Sequence, residues 1–267
     1  LLVDKAYTQF DSFVLRTSGQ DAGSTRFRDV FLTQLIRDSG VDYQGYRTVV
    51  LYINGQYWGI YNIREKINPE MMVRAHGGNE AQISILRANG FADHGSARSY
   101  LKLIDYVEGH DLSDDDHYTH VQSLMDVENF AQYWIFQMFI SNADNGNIRF
   151  WKEDPPEGRW RWLLYDLDWA WRYVEPDTVA FATNPKGTGA NKAFRTILIR
   201  RLLANEDFRD MFLRLCGEHL QETFAPERTL ALIDTLAKEI EEEIPRDHAR
   251  WPDSFRDWDH QIEMMRV

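Results

Sequence analysis

The chain begins with a strand-like pattern and turns helical later. From Tyr46 to Glu65 the run YRTVVLYINGQYWGIYNIRE places β-branched and aromatic residues on both sides of Asn54-Gly55. That dipeptide supplies the positive φ angles of a tight turn, so the segment predicts a two-stranded hairpin. Ahead of it, Phe13-Val14-Leu15-Arg16 reads as a short strand followed by a loop over 17–25. Ser24 or Thr25 is placed to cap a helix over about 26–38, with Phe27, Val30, Phe31 and Leu35 on its inner face. Beyond residue 66 the apolar spacing becomes mainly helical, predicting helices over 96–108, 113–125, 127–140, 194–203, 206–220 and 226–244. Asp126 is a good N-cap for the third, and Pro226 suits the first position of the last. One short hairpin, 148–152 with 161–166 around the turn Pro155-Pro156-Glu157-Gly158, interrupts the helices. The pattern is that of an α+β protein with no internal repeat.

Composition narrows the possibilities. At 267 residues, 43% hydrophobic and 13% aromatic, the chain can bury a substantial core as one large domain or two lobes. No apolar run reaches membrane-spanning length, so no membrane span is expected. A net charge of −12 argues against a nucleic-acid partner, which requires a basic footprint. The opening LLVDKAYTQF has no basic region or cleavage site of a signal peptide and reads like the middle of a longer protein. The single cysteine, Cys216, excludes an intrachain disulfide and a multi-cysteine metal site. It shares a helix face with Phe208, Met211, Phe212 and Leu215, which marks it as a core thiol rather than a nucleophile.

The candidate chemistry lies between Ser141 and Arg172. Asp144 and Asn147 stand in a short polar loop after an apolar helix, and Asp166 and Asp168 close the strand that follows the hairpin turn. Alternation along a strand predicts that Asp166 and Asp168 point to the same side. Magnesium takes hard oxygen ligands, usually one or two carboxylates with phosphate oxygens and water. Protein kinases divide the work similarly, with a loop Asp receiving the hydroxyl proton and an Asn and a later Asp holding metal. Asp and Asn are also common turn residues, so residue types alone leave two plain turns open.

Several segments carry a further resemblance: F13-V-L-R, T25-R-F-R-D29, V50-L-Y-I-N-G-Q-Y-W-G-I-Y-N-I-R-E65, N142-A-D-N-G-N147, W160-R-W-L-L-Y-D-L-D168 and R250-W…W258. In this order, over nearly the whole chain, they resemble the spore-coat-protein-H (CotH) kinase-like family. The resemblance implies an atypical protein-kinase-like two-lobed fold. Residues 1–66 would form a small mixed N-lobe, and 67–267 a mainly helical C-lobe carrying the catalytic hairpin 142–170. It implies a secreted or surface-associated bacterial protein that phosphorylates Ser or Thr of a protein substrate with ATP and Mg2+ or Mn2+. Alternatives are AMP or glutamate transfer on the same fold, or a surface module without turnover. By position, Asp144 matches the catalytic-loop aspartate and Asp166 the strand-end metal aspartate, with Asp168 and Asn147 as further metal ligands. Glu65 would lie near the adenine. Arg16 and Asp29 would form a strand–helix pair where ordinary kinases carry Lys and Glu, serving either phosphate binding or a plain buried ion pair. The resemblance also implies a further hairpin ahead of residue 13, so the front of that lobe is expected in preceding chain or in a different cover over the phosphates. The short Asp144–Asn147 spacing leaves Asn145 or Asn142 open as the metal amide.

Other features point to structure. The segment N184-P-K-G-T-G-A-N-K192 lacks phosphate-loop spacing and reads as a mobile loop near the substrate. His117 and His120 lie on one helix with no third ligand in sequence reach. The acidic run Glu239, Glu241, Glu242 and Glu243 reads as a solvated face, and loop 17–25 as a solvated connector that ends on a helix N-terminus.

Overall fold

A computed structural model describes the chain except residues 1, 3, 4, 6, 143, 145, 155–157, 174, 175, 187–195, 253–255 and 267. Asn145, the turn residues Pro155, Pro156 and Glu157, most of the 184–192 loop and the start expected for the 194–203 helix lie outside the described residues.

The Asn54-Gly55 hairpin forms as expected from the positive φ of both residues, joining β3 (Tyr46–Ile53) to β4 (Gln56–Glu65). β1 (Phe13–Arg16) pairs antiparallel with β4, giving a three-stranded sheet in the order β1-β4-β3. In its register Arg16 stands opposite Asn62 and Val14 opposite Arg64. α1 (Arg28–Leu35) is shorter than expected and every residue in it is buried. Ser24 and Thr25 do not cap it. The carboxylate of Asp21 accepts from the backbone N–H groups of Thr25 and Arg28 instead, because the buried loop before the helix turns Asp21 back onto its start.

Residues 67–267 are mainly helical, but a second sheet there holds strands that the sequence pattern did not show. β2 (Asp42–Tyr43), β5 (Ile83–Arg87), β6 (Phe91–His94), β7 (Arg149–Glu153) and β8 (Arg161–Leu164) form a five-stranded sheet in the order β2-β8-β7-β5-β6. β2 has only two residues and pairs with β8, β5 is buried on both faces and so shows no period of two, and β6 is an edge strand paired with β5 alone. β2 pairs parallel to β8, so residues before 66 complete a sheet built mostly after it. α2 (Pro69–His76) also escaped the sequence pattern; Pro69 stands at its first position and the Asn68 side chain caps it by accepting from Met71 N–H.

The helices expected from apolar spacing form as α3 (Arg98–Gly109), α4 (Asp115–Leu124), α5 (Val127–Phe139), α7 (Ile197–Leu202), α8 (Glu206–Gln221) and α9 (Pro226–Ile240), and an unexpected short helix, α6 (Thr178–Thr183), stands between α5 and α7. The helix expected over 226–244 ends at Ile240, and α10 (Ile244–Arg250) starts anew with Pro245 in its first turn. Proline has no N–H to continue the ladder from the preceding turn. α11 (Trp258–Arg266) closes the described chain. Among the described residues no helix is long and apolar enough to cross a membrane.

One core cluster runs from Phe27, Phe31 and Leu35 in and before α1, through Phe130, Tyr133 and Phe136 of α5, to Phe208, Ile233 and Met265. Burying a side chain such as Phe31 or Leu35 contributes about 1.5–3 kcal/mol. Phe150 on β7 stacks on Trp162 of β8 at 5.4 Å, which fixes the hairpin that leads into the candidate site. Phe31 meets Trp171 edge to face at 5.5 Å and ties α1 to the segment beyond Asp168.

Candidate active site

The loop after α5 is built by small polar side chains folding back on their own backbone. α5 ends at Phe139 with Ile140 as its C-cap, Ser141 takes a left-handed φ of 51°, and Asn142 N–H bonds the Gln137 carbonyl at 3.1 Å. The Asn142 side chain is buried and accepts from Asp144 N–H at 3.0 Å. Asp144 Oδ1 in turn accepts from Gly146 N–H at 3.3 Å. Such turns are what Asp and Asn favour. They aim the second carboxylate oxygen of Asp144 at Asn147, whose Nδ2 donates to Asp144 Oδ2 at 2.9 Å and to Asp166 Oδ2 at 2.6 Å. One amide therefore joins the loop to the segment after β8.

Asp166 and Asp168 do come together, but not by strand alternation. β8 ends at Leu164, and Asp166 sits in a turn with a left-handed φ of 58°. For a residue with a Cβ that conformation costs on the order of 1 kcal/mol and survives only where the surroundings hold it. Three contacts do so. Leu167 is buried and its N–H donates to Asp29 Oδ1 at 2.8 Å. Asn147 holds Asp166 Oδ2. Arg16, at the end of β1, bridges the two aspartates through Nη2, bonding Asp166 Oδ1 and lying 3.1 Å from Asp168 Oδ2.

Loop 17–25 is not a solvated connector. Ser18, Asp21, Ser24 and Thr25 are buried, and Gln20 N–H donates to Asp168 Oδ2 at 2.8 Å. Gly19 has a positive φ, and a Cβ there would overlap the Asp168 carboxylate and approach Arg16. Gly19 and Gln20 are thus site residues that the sequence reading missed; the visible signal was a glycine between Ser18 and Gln20 just after the strand carrying Arg16.

Arg16 and Asp29 are not a direct ion pair. Arg64 lies on the same face of β4 as Asn62, and its Nη1 reaches Asp29 Oδ2 at 2.9 Å with both side chains buried. The register that puts Arg16 opposite Asn62 points its guanidinium past α1 to Asp166 and Asp168. Glu65, one residue beyond Arg64, faces the other way. It accepts from Gly45 N–H at 2.9 Å and lies 3.6 Å from Lys5 and 4.0 Å from Arg74. The structure does not bring Glu65 to the carboxylate cluster.

These surroundings set the charges. Burial works against ionised Asp29, but Arg64, Arg16 and the Leu167 N–H outweigh it and hold its pKa below the ordinary range. Burial likewise opposes the charge on Arg16, and Asp29, Asp166 and Asp168 more than compensate. Asp168 goes the other way: burial raises its pKa, and the Gln20 N–H and Arg16 offset this only in part.

Among the described residues, no three His, Cys, Asp or Glu side chains stand in a group that holds a metal. Asp144, Asp166 and Asp168 meet through Asn147 and Arg16 instead. The oxygens present are nonetheless the hard donors a magnesium-like ion takes, and Asp166 and Asp168 converge on a single cationic nitrogen. His110, His117 and His120 gather around the Tyr106 ring rather than around one point. Burial raises the Cys216 pKa, which leaves the thiol a poor nucleophile.

A search of curated proteins returned no match. A family model described as CotH kinase protein matches residues 3–267, a span that holds β1, the hairpin and both aspartate segments together. With essentially its whole length matched in this way, the chain belongs to the CotH kinase family.

Proposed function

We propose that this protein is a phosphotransferase that uses ATP and Mg2+ or Mn2+ to phosphorylate Ser or Thr of a secreted or cell-surface protein. The observation that carries this is the continuous polar chain Asp144–Asn147–Asp166–Arg16–Asp168, which links a catalytic-type loop to two carboxylates that share one cation. Membership of a kinase family supports the same reading. On it, 1–66 and 67–267 act as the two lobes, with the site where Arg16 at the end of β1 meets the segment after β8.

The roles follow from the contacts. Asp144, held by Gly146 and Asn147, orients the acceptor hydroxyl and takes its proton as the phosphoryl group leaves ATP. Asp166 and Asp168 would hold the metal, with the amide oxygen of Asn147 beside them. A divalent ion there offsets phosphate charge that would otherwise be repelled by three carboxylates. Arg16 is placed to bind phosphate, since a guanidinium bonds its oxygens in pairs and stays charged.

The test is transfer of labelled γ-phosphate to protein, with product mass distinguishing a phosphoryl group from a nucleotide. Asp144→Asn should keep Mg-ATP affinity within a few-fold and lose transfer, because its contribution is made in the transition state. Asp166→Asn should lose the rise in melting temperature that Mg-ATP gives the parent. If Asp166→Asn binds Mg-ATP like the parent, Asp166 is not a metal ligand; if no transfer of any group occurs, the protein is a non-catalytic family member.

A further inference from the structure

The two aspartates read above as metal ligands are already bridged by a cation of the protein itself. Arg16 Nη2 bonds Asp166 Oδ1 and lies 3.1 Å from Asp168 Oδ2, so one nitrogen stands between the oxygens that a divalent ion would take. Both cannot be held at once. Magnesium needs its ligand oxygens at about 2.0–2.1 Å, which would press a guanidinium and a dication together in a half-buried site.

Each carboxylate has an anchor besides Arg16. Asp168 Oδ2 is held by Gln20 N–H at 2.8 Å, and Asp166 Oδ2 by Asn147 Nδ2 at 2.6 Å. Both donors are neutral. The backbone of the intervening Leu167 is pinned to Asp29, and Asp29 is paired with Arg64 rather than Arg16. With the Arg16 guanidinium withdrawn, the Gln20, Asn147 and Asp29 contacts remain to hold the acidic pair. Arg16 sits on β1, an edge strand, and its side chain is about a quarter exposed, so its long stem has room to swing. What it needs on leaving is another anion, and a phosphate oxygen is one it bonds well.

We propose that Arg16 is an exchangeable counter-ion: it keeps free divalent cations off Asp166 and Asp168 and yields only when nucleotide phosphate arrives to receive it. Metal then enters with the nucleotide rather than ahead of it. This rests on the reading of Asp166 and Asp168 as metal ligands given under Proposed function.

The experiment is a Mn2+ titration followed by the spin-resonance signal of free Mn2+, with and without a non-hydrolysable ATP analogue. Without nucleotide, Arg16→Met should bind Mn2+ at least about tenfold more tightly than the parent, a coupling of ordinary size between two ligands of one site. The analogue should tighten Mn2+ binding strongly in the parent and much less in Arg16→Met. Arg16→Lys, which keeps the charge on a different head, should fall between them, and it carries the comparison if Arg16→Met does not fold. Equal or weaker Mn2+ binding in these variants without nucleotide overturns the counter-ion role. A parent that takes up Mn2+ with the analogue, and loses it on Asp166→Asn, keeps the metal reading intact in that case. A parent that binds no Mn2+ even with the analogue removes both.

Discussion

Two buried aspartates of the site should respond to substitution with opposite signs. Asp29 has a depressed pKa, so it contributes stability above the ordinary carboxylate range, near 3.9, and loses that contribution as pH falls through its lower folded value. Asp29→Asn at neutral pH leaves Arg64 buried without its charge partner and should cost about 3–5 kcal/mol in denaturant unfolding, with the penalty shrinking in acid. Asp168 has a raised pKa, so its favourable contribution is present below the ordinary carboxylate value and is lost as pH rises through the folded one. Without nucleotide, Asp168→Asn should therefore melt no lower than the parent at neutral pH, and its advantage should disappear below about pH 4. A large loss of stability in Asp168→Asn at pH 7 would mean that the Arg16 and Gln20 contacts outweigh burial. The difference between these neighbouring carboxylates is legible only in space. In sequence both are acidic residues in motifs; in the fold one meets Arg64 and the other meets a shared arginine and a single N–H.

At the scale of elements, the loop that carries Asp144 is aimed by α5 and the hairpin beside it. Asp126 joins the two: its side chain caps α5 by accepting from Asn129 N–H at 3.1 Å, it pairs with Arg161 of β8, and its N–H bonds the Trp160 carbonyl at 2.9 Å. Loss of a cap costs about 0.5–2 kcal/mol. Asp126→Ala should destabilise the protein by about that much and also weaken the proposed phosphate transfer, since α5 leads into Asn142 and Asp144 at its far end. Unchanged activity in a destabilised Asp126→Ala would show that the loop is held by β7 and β8 alone. The cap, the Asn54-Gly55 turn and the start of α9 at Pro226 were all readable, because each rests on neighbours within a few residues. The strands β2 and β5 were not, because each is completed by a strand far away in sequence, Asp42 facing Leu163 and Ile83 facing Glu153.

The whole molecule has its largest core shared between the first residues and the last. Phe31 of α1 lies in the same buried cluster as Phe208, Ile233 and Met265, and β2 adds to a sheet made by residues beyond 66. Thermal unfolding should accordingly be one cooperative transition, with tryptophan fluorescence and far-ultraviolet dichroism coincident. Two resolved steps would mean that the 1–66 segment unfolds by itself. The sequence alone determined the hairpin, most of the helices and the order of the motifs that mark the family, because those depend on local spacing and residue type. It also placed Asp144, Asn147, Asp166 and Asp168 in two short segments. Tertiary structure alone decided who meets whom: that Arg16 bridges Asp166 and Asp168, that Asp29 turns to Arg64, that Glu65 faces away, and that Gly19 and Gln20 close over Asp168. Those outcomes follow from strand register and from the left-handed turn at Asp166, and a shift of one residue in either would send the same side chains to other partners.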